Sequence, residues 1–177
     1  MIGTVELDRC ALLTALARDL EDSGWRARLE DLQGRSVDGA LHLAVMQEPF
    51  LTLLLQGRKT IESRFSVNRV SPYGDVCAGD VLALKAQSGP IVGLALVEHV
   101  AFYELEPATW RELQERFARP LCAEEPGFWD ARARARYATL MRVVDTRTVA
   151  PLAVAKRDRR GWVRLGPRST AQQQLAL

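Results

Sequence analysis

The stretch Gly57-Arg58-Lys59-Thr60-Ile61-Glu62-Ser63-Arg64 lies between a short apolar run and a β-prone run. Upstream, Pro49 suits a first helical turn, where its missing N–H would have had no partner. Phe50, Leu53 and Leu54 supply one apolar face there, and Gly57 closes the helix. Downstream, Thr60, Ile61, Ser63, Phe65 and Val67 favour a strand. If that strand begins at Thr60, Thr60, Glu62 and Arg64 share one face, and Ile61, Ser63 and Phe65 share the other. Lys59 then stands at the mouth, so a lysine, a carboxylate and an arginine converge where a short helix meets a sheet. Two readings are open at this point. The cluster binds a polar ligand or does acid–base work, or it is an edge strand whose charges face solvent and block aggregation.

Working outward, residues 6–33 read as helical. Leu7, Leu12, Leu13, Leu16 and Leu20, then Trp25, Leu29 and Leu32, recur at three- and four-residue steps. Ser23-Gly24 divides the run into two helices and Gly34 ends the second. The spacing suits packing against the rest of the chain, and equally self-association through residues 6–33. Ser36 to Gly39 reads as a linker. Leu41 to Met46 reads as a strand, Ser71 to Asp75 as a loop, and Val81 to Ala86 as a strand introduced by Gly79-Asp80. Ser88-Gly89-Pro90 turns into a strand from Ile91 to Tyr103, in which Gly93 marks a bulge or a close backbone approach. Helices are expected over Pro107 to Phe117, ended by Pro120, and over Phe128 to Arg136. Strands follow at Tyr137 to Val144, Pro151 to Ala155 and Trp162 to Leu165, with a charged turn from Lys156 to Gly161. About six short strands with inserted helices predict an α+β fold built on a small mixed β-barrel. The expected division is a helical extension over 1–38, a barrel domain over 39–166 and a tail over 167–177.

Length and composition agree with this. The 177 residues are 47% apolar and 26% charged, which excludes a disordered chain, a collagen and a coiled-coil rod. No apolar run approaches the roughly 20 residues of a membrane-spanning helix. Met1 to Arg9 lacks the basic-then-apolar pattern of a secretory signal. The net charge of +2 is a cancellation: residues 1–38 carry −3, residues 39–130 carry −4 and residues 131–168 carry +9. A basic C-terminal third faces a polyanion, or is a solvated arginine-rich surface.

Cys10, Cys77 and Cys122 are scattered, and no two have the spacing of a zinc knuckle or a redox pair. Three unpaired thiols fit a reducing, cytoplasmic setting. His42 and His99 are single and read as structural rather than metal-binding. No metal and no cofactor is therefore expected. Gly-rich phosphate loops and nucleophile elbows are also missing from the sequence.

The run from Leu43 to Arg64 combines Gln47-Glu48-Pro49-Phe50 before the helix with Gly57-x-Lys59-x-x-Glu62-x-Arg64 after it. With Gly79-Asp80 before a strand and the ending Arg159-Arg160-Gly161-Trp162, it resembles the ASCH domain of the PUA-like superfamily. The resemblance covers roughly 40–166. It implies a small β-barrel with a cleft beside the motif, and RNA or other nucleic-acid binding. Some members are amidohydrolases acting on N4-acetylcytidine, and some cleave RNA. The catalytic lysine of the amidohydrolases corresponds to Lys59. Those members carry threonine where this chain has Glu62, and a further catalytic glutamate in the later helical region, where this chain offers Glu115, Glu124 and Glu125.

Two functions are expected from these residues. In the first, the protein binds RNA or a nucleotide. Arg58, Lys59 and Arg64 contact phosphate or a base edge, Arg157, Arg159, Arg160 and Arg164 extend the basic surface, and Tyr73 and Trp162 offer stacking planes. The alternative for Trp162, and the favoured one, is a core aromatic. In the second, the protein is a metal-independent hydrolase of a modified nucleoside or of RNA. Lys59 is its base or nucleophile, and Glu62 orients Lys59 or activates water.

Overall fold

The computed structural model describes residues 4–18, 20–34, 39–156 and 159–166. The expected linker at 36–39 is thus described only at Gly39, and the tail over 167–177 and Arg157 lie outside the described residues.

Strands that are apolar on both faces sit in the middle of a sheet, and those that alternate sit at its margins. β2 (Leu41–Met46) and β4 (Val81–Ala86) are of the first kind and pair in parallel. β4 continues antiparallel to β5 (Ile91–Glu104), which pairs with β6 (Tyr137–Leu152). The outer strands are β3 (Ile61–Ser66) on β6 and β8 (Trp162–Leu165) on β2. The order β3-β6-β5-β4-β2-β8 makes a mixed, strongly curled half-barrel. Gly93 fits the expected close approach: a Cβ there would lie 2.4 Å from Leu55 Cδ2, and the β5–β6 register shifts beside it.

Three apolar clusters hold the sheet. On one side, α1 (Arg9–Arg18) and α2 (Ser23–Gln33) bury Leu12, Leu13, Leu16, Trp25, Leu29 and Leu32 against Leu41, Leu43, Val81, Leu94 and Val163. The apolar stripe of residues 6–33 is therefore occupied by the sheet. Asp22 caps α2 by accepting from Trp25 N at 3.0 Å, and the Trp25 indole donates to Asp145 O on β6 at 3.1 Å. Inside the curl, α3 (Phe50–Leu55) packs Leu51 and Leu54 on Leu82, Leu84, Val97 and Met141. The buried pair is thus Leu51 and Leu54, not Leu53, because the face that α3 turns to the sheet is the one carrying Leu51 and Leu54. The third cluster joins α4 (Pro107–Leu121) and α5 (Pro126–Asp130) to β3 and β6 through Leu113, Trp129, Phe65 and Leu140.

Several boundaries differ from expectation for local reasons. Val5–Glu6 form a two-residue strand, β1, which pairs in parallel with β7 (Val154–Ala155) rather than beginning a helix. β6 runs unbroken to Leu152, although its apolar alternation fades after Val144, because its partner β5 extends alongside it. α4 continues through Pro120, which forfeits only one hydrogen bond so close to the end. Cys122 then adopts a left-handed conformation (φ 54°), and Ala123 N bonds Ala118 O at 2.8 Å. α5 ends at Asp130, short of the expected Arg136.

Candidate functional site

The motif is set by the end of α3. Gly57, at φ 70°, takes the left-handed turn that glycine permits. Arg58 N and Lys59 N then both bond Leu53 O, at 2.9 and 3.0 Å. Thr60 N bonds Pro120 O at 3.1 Å, which locks the start of β3 to α4. Held in this way, Lys59 turns inward. It is 3% exposed, its ammonium donates to Ile61 O, and Glu62 Oε2 lies 3.1 Å away. Glu62 is 4% exposed, and its other oxygen lies 3.0 Å from Arg64 Nε. One buried carboxylate thus serves two cations.

Arg64 reaches across the seam of the half-barrel. The Nε contact with Glu62 is a charge contact without hydrogen-bond alignment. The aligned bonds go to Val45 O at 3.0 Å, Gly161 O at 3.3 Å and Met46 Sδ at 3.2 Å. The guanidinium lies 5.2 Å over the Trp162 ring. Arg64 on one edge strand is therefore joined to β2 and to the entry of β8 on the opposite edge. Beneath it, the Trp162 indole donates to His42 Nδ1 at 3.0 Å, and His42 Nε2 meets Asp80 Oδ2 at 2.9 Å. An indole only donates, so Nδ1 accepts and the imidazole proton sits on Nε2, directed at Asp80. Asp80 also accepts from Ala40 N and Cys77 N, both at 2.8 Å, so the Gly79-Asp80 pair ties three segments together.

Lys59, Glu62 and Arg64 line a cleft of about 1050 Å³. Its described lining carries seven cationic side chains, Lys59, Arg64, Lys85, Arg132, Lys156, Arg159 and Arg160, against one carboxylate, Glu62. Phe50, Phe65 and Phe128 add an aromatic wall. Arg132 stacks 3.7 Å from the Phe128 ring centroid and donates to Phe128 O at 2.7 Å. Burial pushes the Arg132 guanidinium below its ordinary range, Glu62 opposes that shift and Arg64 adds to it. Lys85 is also pushed down, first by burial and then by neighbouring Lys156. Among the described residues, no three His, Cys, Asp or Glu side chains gather as metal ligands would.

Of the residues expected from the sequence, the fold brings Lys59, Glu62, Arg64, Arg159 and Arg160 to one cleft. Arg58 is exposed and outside the lining, and its carbonyl accepts from Cys122 Sγ. Tyr73 lies elsewhere, packed on Phe102 and Tyr137 with Arg69 over its ring. Trp162 is 5% exposed beneath Arg64 and belongs to the core, so it offers no stacking plane in the cleft. Arg164 turns to Asp75, at 2.7 Å. Glu115, Glu124 and Glu125 are exposed and none lines the cleft. Sequence reasoning missed Lys85, Lys156, Arg132 and Phe128. The one local signal was Lys85, a lone cation at the end of the otherwise apolar strand Val81-Leu82-Ala83-Leu84.

No family model and no curated protein sequence matches the chain. Its structure is similar to the crystal structure of ASCH from Zymomonas mobilis, with a TM-score of 0.57 and 14% identity, covering 76% of this chain and 91% of that one. Two point variants of the same Zymomonas mobilis protein give TM-scores of 0.57 and 0.55 at 14% and 13% identity, each covering 77% of this chain and 93% and 95% of theirs. Likeness at such identity is a likeness of fold, and the chain has the fold of an ASCH domain.

Proposed function

We propose that the cleft binds RNA or a nucleotide through its phosphates. The observation that carries this reading is the charge of the described lining: seven cations, and one carboxylate that is already committed to Lys59 and Arg64. Arg132, Lys156, Arg159 and Arg160 come from the basic C-terminal third, so its excess charge is directed at the same opening as the motif. The volume is at the upper end of small-ligand pockets, roughly 300–1,000 Å³, and suits a nucleotide or a short strand. Phosphate neutralisation releases counterions, so affinity should fall steeply with salt, with a slope of about −0.7 per phosphate contacted for single strands. The test is fluorescence anisotropy with a mixed-sequence single-stranded RNA. Binding at about 50 mM salt that weakens tenfold or more by about 200 mM is the expected result. Absence of binding at low salt by folded protein would overturn the reading.

A second reading, hydrolysis of an N4-acylated cytidine or of RNA, is supported by the placement of Lys59 and Glu62. An ammonium and a carboxylate 3.1 Å apart lie buried in the lining of an accessible cleft. Wild type and Lys59→Ala are compared on N4-acetylcytidine and on RNA. Equal product from both would remove Lys59 from any mechanism.

A further inference from the structure

We propose that Lys85 is a phosphate-binding residue of this cleft and sets the ligand's polarity, with phosphate toward the β4–β5 turn and the base toward α5. The inference rests on the reading of the cleft given above and deepens it.

Lys85 is the point at which a fully buried strand opens onto the cleft, since Val81 to Leu84 are all 0% exposed. The β4–β5 register shifts between Leu84 and Lys85, where Val92 is the extra residue on β5, so the regular ladder is interrupted at Lys85. The ammonium is then fixed by two backbone oxygens, Ala86 O at 3.2 Å and Gly89 O. Both acceptors belong to a closed turn, in which Gly89 N bonds Ala86 O at 3.0 Å and Ala86 N bonds Pro90 O at 2.9 Å. An ammonium has three N–H donors, so one is left for a ligand in the cleft.

Lys85 and the Lys59–Arg64 pair meet different charges. Lys59 and Arg64 share Glu62, so that pair is compensated within the protein. The charge acting on Lys85 is the like charge of Lys156, and it adds to the effect of burial. An anion bound at Lys85 opposes both effects on its ammonium. On the α5 side, the Phe128–Arg132 stack presents the planar, cationic surface on which unstacked bases settle.

The experiment measures binding of a labelled mixed-sequence RNA decamer across about 50 to 200 mM salt, for wild type, Lys85→Gln, Lys85→Arg and Arg116→Gln. Arg116 is an exposed cation outside the cleft lining. Lys85→Gln should weaken binding about five- to tenfold at the lower salt and flatten the salt slope by about 0.7. Lys85→Arg should retain the slope, and Arg116→Gln should match wild type. Wild-type affinity and slope in Lys85→Gln would overturn the inference while leaving RNA binding standing. Absence of wild-type binding would instead overturn the underlying reading of the cleft. A second measurement needs no substitution: acylation of Lys85 in the wild-type protein, followed by mass spectrometry. Cytidine 5′-monophosphate should protect Lys85 and cytidine should not. Equal protection by both, or by neither at a concentration where RNA protects the cleft, would overturn the assignment.

Discussion

Glu62 is the residue on which the motif depends. Buried Lys59 and half-buried Arg64 both lie within 3.1 Å of its carboxylate, and neither has another carboxylate in contact among the described residues. Removing one member of a buried ion pair costs about 3–5 kcal/mol, because the remaining charges stay desolvated without compensation. Glu62→Gln should therefore lower stability by about that amount, read from the urea midpoint. A loss under about 1 kcal/mol would mean that water screens the cluster. Arg64 shows why residue type alone leaves roles open. The sequence marks it as a ligand contact, and the structure adds bonds to Val45 O and Gly161 O that join the two edges of the half-barrel. Trp162 was legible as either a stacking plane or a core aromatic. Only its burial and its bond to His42 separate the two.

At the scale of elements, the loop before β4 is tied to the last strand by Asp75 and Arg164. Arg164 Nη1 donates to Asp75 Oδ1 at 2.7 Å and to Asp75 O at 3.0 Å, with both side chains largely buried. Burial by itself raises the Asp75 carboxyl, but hydrogen bonds from Ser71 and Arg164, together with the Arg164 charge, outweigh it and hold the group below 3.8. A carboxyl lowered on folding contributes stability that is fully present above its unfolded value and is lost as pH falls through the folded one. Acid titration of wild type should therefore show a loss below about pH 3.8 that Asp75→Asn lacks. At neutral pH the variant should be less stable by about 1–3 kcal/mol. Identical acid limbs would remove Asp75 from the linkage. Helices and central strands were legible here because each carries its own period. The ends of β6 and α4 were not, since a partner strand extends the first and a capping turn closes the second beyond Pro120.

Across the whole molecule, the N-terminal helices and the sheet share one core. Leu12, Leu13 and Leu29 are 0% exposed against Leu41, Leu43, Val81 and Leu94. A chain beginning at Gly39 would uncover that face, and an apolar patch of this kind drives association. Sedimentation velocity should show concentration-dependent association of the shortened chain and not of the full one. A shortened chain that is monomeric and as heat-stable as the full one would make the helices dispensable to the core. The sequence by itself determined the order of elements, the helix-to-strand junction at Gly57 to Arg64 and the basic character of the last third. These are local properties, written in periodicity, turn residues and charge. Only the tertiary structure decided which charges meet. Curling of the sheet brings Lys85, Arg132 and Arg160 to one cleft with Lys59 and leaves Tyr73 outside it. Convergence of that kind depends on strand order and curvature, which arise from packing between segments far apart in the chain and leave no signal in the spacing of residues within any one of them.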